Sequence, residues 1–189
     1  MGNQADRPRL ILVKHAPPAL VPGEPPSTWL LSPEGRADAA ALALKLAPFA
    51  PRAIVSSTEP KAAATADEMA AVLGLEPERD HGLREHFGET IAFSEESVFQ
   101  ASVARMFANS RELVLGEETG DEAHARFAGA VDRQRAAHPE GTLVLVAHGR
   151  VITLWAQRRL GVDPMPFWRS LGLASAVVVD EAGGFEIVA

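Results

Sequence analysis

Short, unbroken apolar runs punctuate the chain. Leu10-Ile11-Leu12-Val13 gives way at once to Lys14, His15 and then Pro17-Pro18. Leu143-Val144-Leu145-Val146-Ala147 gives way to His148-Gly149. Runs this brief do not make a helix, and without polar alternation they predict strands buried on both faces. Arg52-Ala53-Ile54-Val55-Ser56-Ser57 reads as another short strand, and Leu75 to His81 has room for one more. Between them the apolar period changes. Ala39, Leu42, Leu46 and Phe49 form one face behind Ser32-Pro33-Glu34, a helix start with an N-cap oxygen, a first-turn proline and an early acid. Pro60 to Leu73 is an alanine-rich helix closed by Gly74. The order β–loop–α–β–α predicts a parallel sheet with helices on its faces.

The second half is read the same way. Phe99, Val103 and Met106/Phe107 recur at helical spacing from Ser94, and Thr119-Gly120-Asp121-Glu122 is a capping box. It opens a helix carrying Ala123, Phe127, Ala130, Val131 and Gln134 on one side. Gly149 to Leu160 reads as a helix, and Ala174 to Val179 with Phe185 to Val188 as a hairpin around Glu181-Ala182-Gly183-Gly184. No repeat, low-complexity tract or linker divides the chain. The expectation is one α/β domain over 1–189, a three-layer sandwich with a mainly parallel central sheet, helices on both faces and an antiparallel edge. A cap-like insertion interrupts it at about 89–118.

Composition narrows the chemistry. There is no cysteine among the 189 residues, which excludes disulfides, thiolate nucleophiles and cysteine-bound metal. A net charge of −7 argues against sequence-independent binding to nucleic acid. No apolar run approaches bilayer length, and Met1 to Pro8 is polar without a signal-peptide core. The reading is a cytoplasmic protein with a few frayed residues at its start and no membrane or nucleic-acid partner. The loop from Pro17 to Leu31 holds five prolines (17, 18, 22, 25 and 26) around Trp29. It is stiff enough to form a lip over a site, and Trp29 itself is as well explained by docking on the core.

Ligands of open α/β sheets collect at the carboxyl ends of strands, where Lys14, His15 and His148 stand. Lys61 falls in the first turn of its helix, where a cation opposes the positive end of the helix dipole. Together with the helix amides it makes an anion receptor, although a lone lysine is ordinarily a solvated one. Two histidines and two lysines at one sheet edge point to a phosphate pocket.

Five ordered stretches carry a resemblance: Val13-Lys14-His15-Ala16, Ser56-Ser57-Thr58-Glu59-Pro60-Lys61-Ala62, Leu83-Arg84-Glu85, Gly116-Glu117-Glu118-Thr119 and Val146-Ala147-His148-Gly149. In this order, with Leu31-Ser32-Pro33-Glu34-Gly35-Arg36 at the first helix, the chain resembles the histidine phosphatase superfamily, the phosphoglycerate-mutase-like group. The resemblance implies a nucleophilic His15 that forms a phosphohistidine. Lys14, Lys61 and His148 would hold the phosphoryl oxygens. Glu85 would protonate the leaving alcohol and then activate water, its pKa raised by the phosphate. No metal or organic cofactor is implied, and the partner is a small phosphorylated substrate. Two departures stand out. Arg-His-Gly of the family is Lys14-His15-Ala16 here, and a second family arginine is matched by Lys61, so two planar forks have become point charges. Pro17-Pro18-Ala19-Leu20 replaces the Ser/Thr and Asn of the mutases, which favours hydrolysis over mutase chemistry.

Three readings follow: a phosphohydrolase acting on a small phosphomonoester, a non-catalytic or nearly inactive phosphate-binding module, and a phosphomutase. His81, four residues before Glu85, and the adjacent His86 also admit a metal-ligand reading, which the flanking glycines disfavour because they break the helix it needs. Phe93, Phe99, Met106 and Phe107 in the insertion are expected to pack the cap onto the core. The sequence leaves the substrate and the oligomeric state open.

Overall fold

The computed structural model describes residues 9–86 and 95–189. The expectations for the first eight residues, and for Phe93 and the start of the insertion, lie outside them. Six strands make one sheet: β1 (Leu10–Lys14), β2 (Pro51–Ser56), β3 (Pro77–Arg79), β4 (Thr142–Ala147), β5 (Ser175–Val179) and β6 (Phe185–Val188), in the order β3-β2-β4-β1-β5-β6. The pairs β3–β2, β2–β4 and β4–β1 are parallel, and the hairpin β5–β6 adds two antiparallel pairings at the β1 side. This is the expected α/β sandwich with its antiparallel edge.

Side-chain alternation sends the two faces of each strand into different cores. On one face Ile11, Val13, Ile54, Val144, Val146, Ala176 and Val178 meet α1 (Pro33–Leu46) and α2 (Pro60–Leu73). The contacts from these helices are mostly alanine, which lets the helices lie close to the sheet. On the other face Leu10, Leu12, Val55, Leu143, Leu145, Val177 and Val179 meet α3 (Glu96–Ala108), α4 (Gly120–Ala137), α5 (Gly149–Arg159) and α6 (Pro164–Ser170). Val103, Met106 and Phe107 of α3 are buried in this second core and Phe99 packs against it, so Phe99, Met106 and Phe107 contact the core as expected.

Local chemistry explains the element boundaries. Ser32 accepts from the Gly35 amide at the start of α1, the Thr119–Glu122 capping box closes reciprocally at the start of α4, and Gly74 ends α2 with φ +69°. The sequence reading has no counterpart to α6. Its two prolines, Pro164 and Pro166, both lie in the first turn, where a missing amide hydrogen costs nothing. The expected loop after β3 instead makes one tight turn at His81–Leu83, because the Asp80 carboxylate caps the Gly82 amide.

The register positions the site. Val13 of β1 and Ser56 of β2 both pair with Val146 of β4, so three adjacent parallel strands end level. Pairing continues one step past each: the His15 amide donates to Ala147 O at 3.0 Å and the Ser57 amide to Val146 O at 2.9 Å. Whatever follows these strands therefore emerges side by side.

Candidate active site

His15 and His148 come off neighbouring strands with ring centroids 5.2 Å apart, edge to face at 60°. His15 is 8% exposed and His148 0%. The His15 Nδ1 lies 2.9 Å from Ala16 O, an atom that can only accept, so Nδ1 carries the proton and Nε2 keeps a lone pair. The loop that makes this contact is itself held. The Ala16 amide donates to Thr65 Oγ1 at 3.0 Å, and that hydroxyl donates back to Lys61 O at 2.7 Å. Burial, then the neighbouring His148 and the Lys61 charge, bring the His15 pKa down to about 3. The imidazole is thus neutral at physiological pH, the form a nucleophile requires.

His148 Nε2 lies 2.9 Å from Ser57 Oγ and 3.5 Å from a Glu59 oxygen, while its Nδ1 is buried with no hydrogen-bond partner. Burial, and then the Lys61 charge, hold its pKa well below the usual imidazole range.

Lys61 is not a solvated lysine: it is 5% exposed. Its ammonium donates to Pro26 O at 2.7 Å and to Glu59 Oε2 at 2.6 Å. The first contact brings the proline-rich loop down onto this side chain. Lys14 belongs to the opposite side of β1 from Val13, and its ammonium donates to Leu171 O at 2.7 Å, just after α6. Burial lowers its pKa, against the attraction of Glu85.

Glu85 caps α5. Its carboxylate accepts from the amides of Val151 (3.2 Å), Arg150 (3.3 Å) and its own neighbour His86 (2.9 Å), and the Arg150 guanidinium lies 3.4 Å away. Burial alone would raise its pKa. The Arg150 charge, His148 and the amide hydrogen bonds outweigh that, and hold the carboxyl well below the usual range. The N-terminus of α5 is therefore occupied by the protein's own acid. The loop bearing Glu85 is pinned by Arg126 of α4, which donates to the carbonyls of Gly82, Arg84 and Glu85 and pairs with the Glu118 carboxylate.

His81 and His86 have other partners. His81 Nδ1 is 3.1 Å from Thr58 Oγ1, and His86 Nε2 is 2.7 Å from Glu118 O. Hence His15, His148, Lys61 and Glu85 converge, while Lys14 reaches the α6 side of the same strand end. Sequence reasoning passed over Glu59, Thr65, Arg126 and Arg150 as site residues. Thr65 had a signal, lying one helical turn after Lys61 on the same face. Arg126 had none, since the carbonyls it clamps are about forty residues away in sequence.

Such a cluster can bind an anion at neutral nitrogen donors and an ammonium, present a neutral imidazole lone pair, and supply a carboxylate beside them. The model of the histidine phosphatase superfamily (branch 1) matches residues 23–188. The match begins after Lys14-His15-Ala16, so that motif rests on geometry alone. No curated protein matches the sequence. Among solved structures, a mycobacterial glucosyl-3-phosphoglycerate phosphatase is similar at 25% identity with TM-score 0.72, over 90% of this chain and 89% of that one. A phosphoserine phosphatase from Entamoeba histolytica, solved with phosphoserine, shares the fold at 18% identity and TM-score 0.73, over 96% and 95%. So does the Bacillus stearothermophilus protein YhfR, at 23% and 0.72 over 95% of both.

Proposed function

The chain belongs to the histidine phosphatase superfamily, branch 1, and from that membership we propose that it is a metal-independent phosphohydrolase acting on a small phosphomonoester through a phosphohistidine at His15. The observation that carries this reading is the His15 tautomer. With Nδ1–H spent on Ala16 O, Nε2 is the atom that attacks phosphorus, beside a buried His148 and the Lys61 ammonium. His148 Nε2 is engaged with Ser57 Oγ, and Nδ1, which has no protein partner, is the atom left to meet a phosphoryl oxygen. The third Lys61 proton and the Lys14 ammonium supply further charge for the in-line transition state. The P–O bond to the leaving alcohol breaks as the N–P bond forms, and Glu85 hands that alcohol a proton. Water then attacks the phosphohistidine, with Glu85 taking the proton back.

Because Glu85 is ionised in the free protein, the proton it passes on enters with the substrate. A phosphomonoester monoanion carries one, lost near pH 6. The phosphatase likeness in sequence and fold supports the reaction class. A second reading, a phosphate-binding module without turnover, is favoured by Lys14 and Lys61, two point charges where the family carries planar arginine forks.

The test is hydrolysis of an aryl phosphate without added metal, run beside His15→Ala, with intact-protein mass spectrometry of the parent. The expected result is turnover and a phosphate adduct in the parent, both lost in the variant. Turnover that survives His15→Ala overturns the nucleophile. Phosphate binding without turnover or adduct, with turnover switched on by Lys14→Arg plus Lys61→Arg, establishes the binding module.

A further inference from the structure

We infer that Glu59 is an internal competitor for the phosphate site, a specificity-determining residue that keeps the site's affinity for free phosphate low. The inference rests on the reading of Lys61 and His148 as phosphoryl-binding groups. It starts from a carboxylate that does not do what its position in the chain dictates. Glu59 is the N-cap of α2, where an acid ordinarily accepts from the first amides of its own helix. Its side chain makes no such bond. It turns instead into the cluster: Oε2 lies 2.6 Å from Lys61 Nζ, and Oε1 lies 2.7 Å from the Glu85 amide and 3.5 Å from His148 Nε2. The carboxylate and the ammonium are each largely enclosed, with side chains 12% and 6% exposed, so water screens the pair weakly.

The consequence is electrostatic. Lys61 is answered by Glu59, and Glu85 by Arg150. His15 and His148 are neutral. A phosphate anion entering this cluster must share the Lys61 ammonium with a carboxylate already bound to it, and accept like-charge repulsion from that carboxylate. Free phosphate is repelled as a monoester is but brings no leaving group to bind elsewhere, so it bears this repulsion with least compensation. Weak retention of free phosphate is what a phosphatase needs in order to release its product.

Glu59→Gln removes the charge and keeps an acceptor for Lys61 or the Glu85 amide. Glu59→Ser removes the charge and restores a favoured N-cap, which guards against a variant that fails to fold. Calorimetric titration with inorganic phosphate is made in a His15→Ala background, so that the outcome does not depend on turnover. The expected result is a Kd at least tenfold lower in either variant than in the Glu59 protein. An unchanged or weaker affinity overturns the proposal, as does an absence of phosphate binding in every variant. A chain that never turns over a phosphomonoester, yet binds phosphate more tightly without Glu59, sustains the inference while removing the phosphatase reading.

Discussion

At the residue scale, the two candidate catalytic groups are prepared in opposite ways. His15 is kept neutral by exclusion from water, with its proton fixed on Nδ1, and so meets the requirement of a nucleophile before any ligand arrives. Glu85 is kept charged by Arg150, His148 and two amides of α5, the reverse of what a proton donor needs. The sequence-based expectation that a phosphate raises its pKa therefore acquires a larger task here, since the shift must first undo these contacts. Leaving groups test this directly. An aryl phosphate leaves without a proton, whereas an alkyl phosphate needs one, and a positioned acid contributes typically 10²–10⁴-fold. Glu85→Gln is expected to cost roughly 100-fold or more in kcat on an alkyl phosphate, and only a few-fold on a nitrophenyl phosphate. Equal losses on both would make Glu85 a cap of α5 and nothing more.

At the element scale, the site depends on loops clamped against helices. The chain leaving β1 passes over the start of α1, and Gly35 permits it: a Cβ there would stand 2.2 Å from Pro17 O and 2.9 Å from a Leu31 methyl. The first contact is with backbone two residues beyond His15, so it cannot be relieved by a rotamer. Gly35→Ala is expected to cost about 1–3 kcal/mol of stability, read as a lower urea midpoint, and to reduce activity in the fraction that remains folded. A variant with parental midpoint and kcat would show that the loop has slack. The same elements mark what was legible in the chain. β1, β4, α1 and α2 follow from apolar periodicity and from caps whose partners lie within four residues, so a local reading finds them. Lys14, His15, Lys61 and His148 are legible because they stand where those elements end. Glu59 was not, because an acid before a first-turn proline satisfies the helix-start rule and gives no hint that it faces the other way. Nor was the clamp made by Arg126, or α6, a short helix held down by the burial of Phe167.

At the scale of the whole molecule, burying a catalytic cluster makes stability depend on pH in a definite direction. His15 titrates at about 3, and His148, His86 and His124 all lie below the ordinary imidazole value of 6.5, burial being the first cause in each. The unfolded chain takes up these protons as pH falls through about 6.5 and the folded chain does not, so the unfolded state binds more of them and gains. Each histidine held fully neutral removes about 1.4 kcal/mol per pH unit below that point. The carboxylates with lowered pKa, Glu85 and Asp80 among them, act in the same sense but only once pH falls below about 4, where their unfolded counterparts protonate. Acid should therefore weaken the fold in two stages, the histidines first. Urea unfolding near pH 7.5, 6 and 5 measures the first stage, in phosphate-free buffer because any anion held by the folded state stabilises it by mass action. The midpoint is expected to be nearly flat above pH 7 and to fall steadily between 6 and 5. A midpoint that does not move over this range would mean that His15 and His148 take up protons in the folded protein. The neutral nucleophile would then be lost along with the pH dependence.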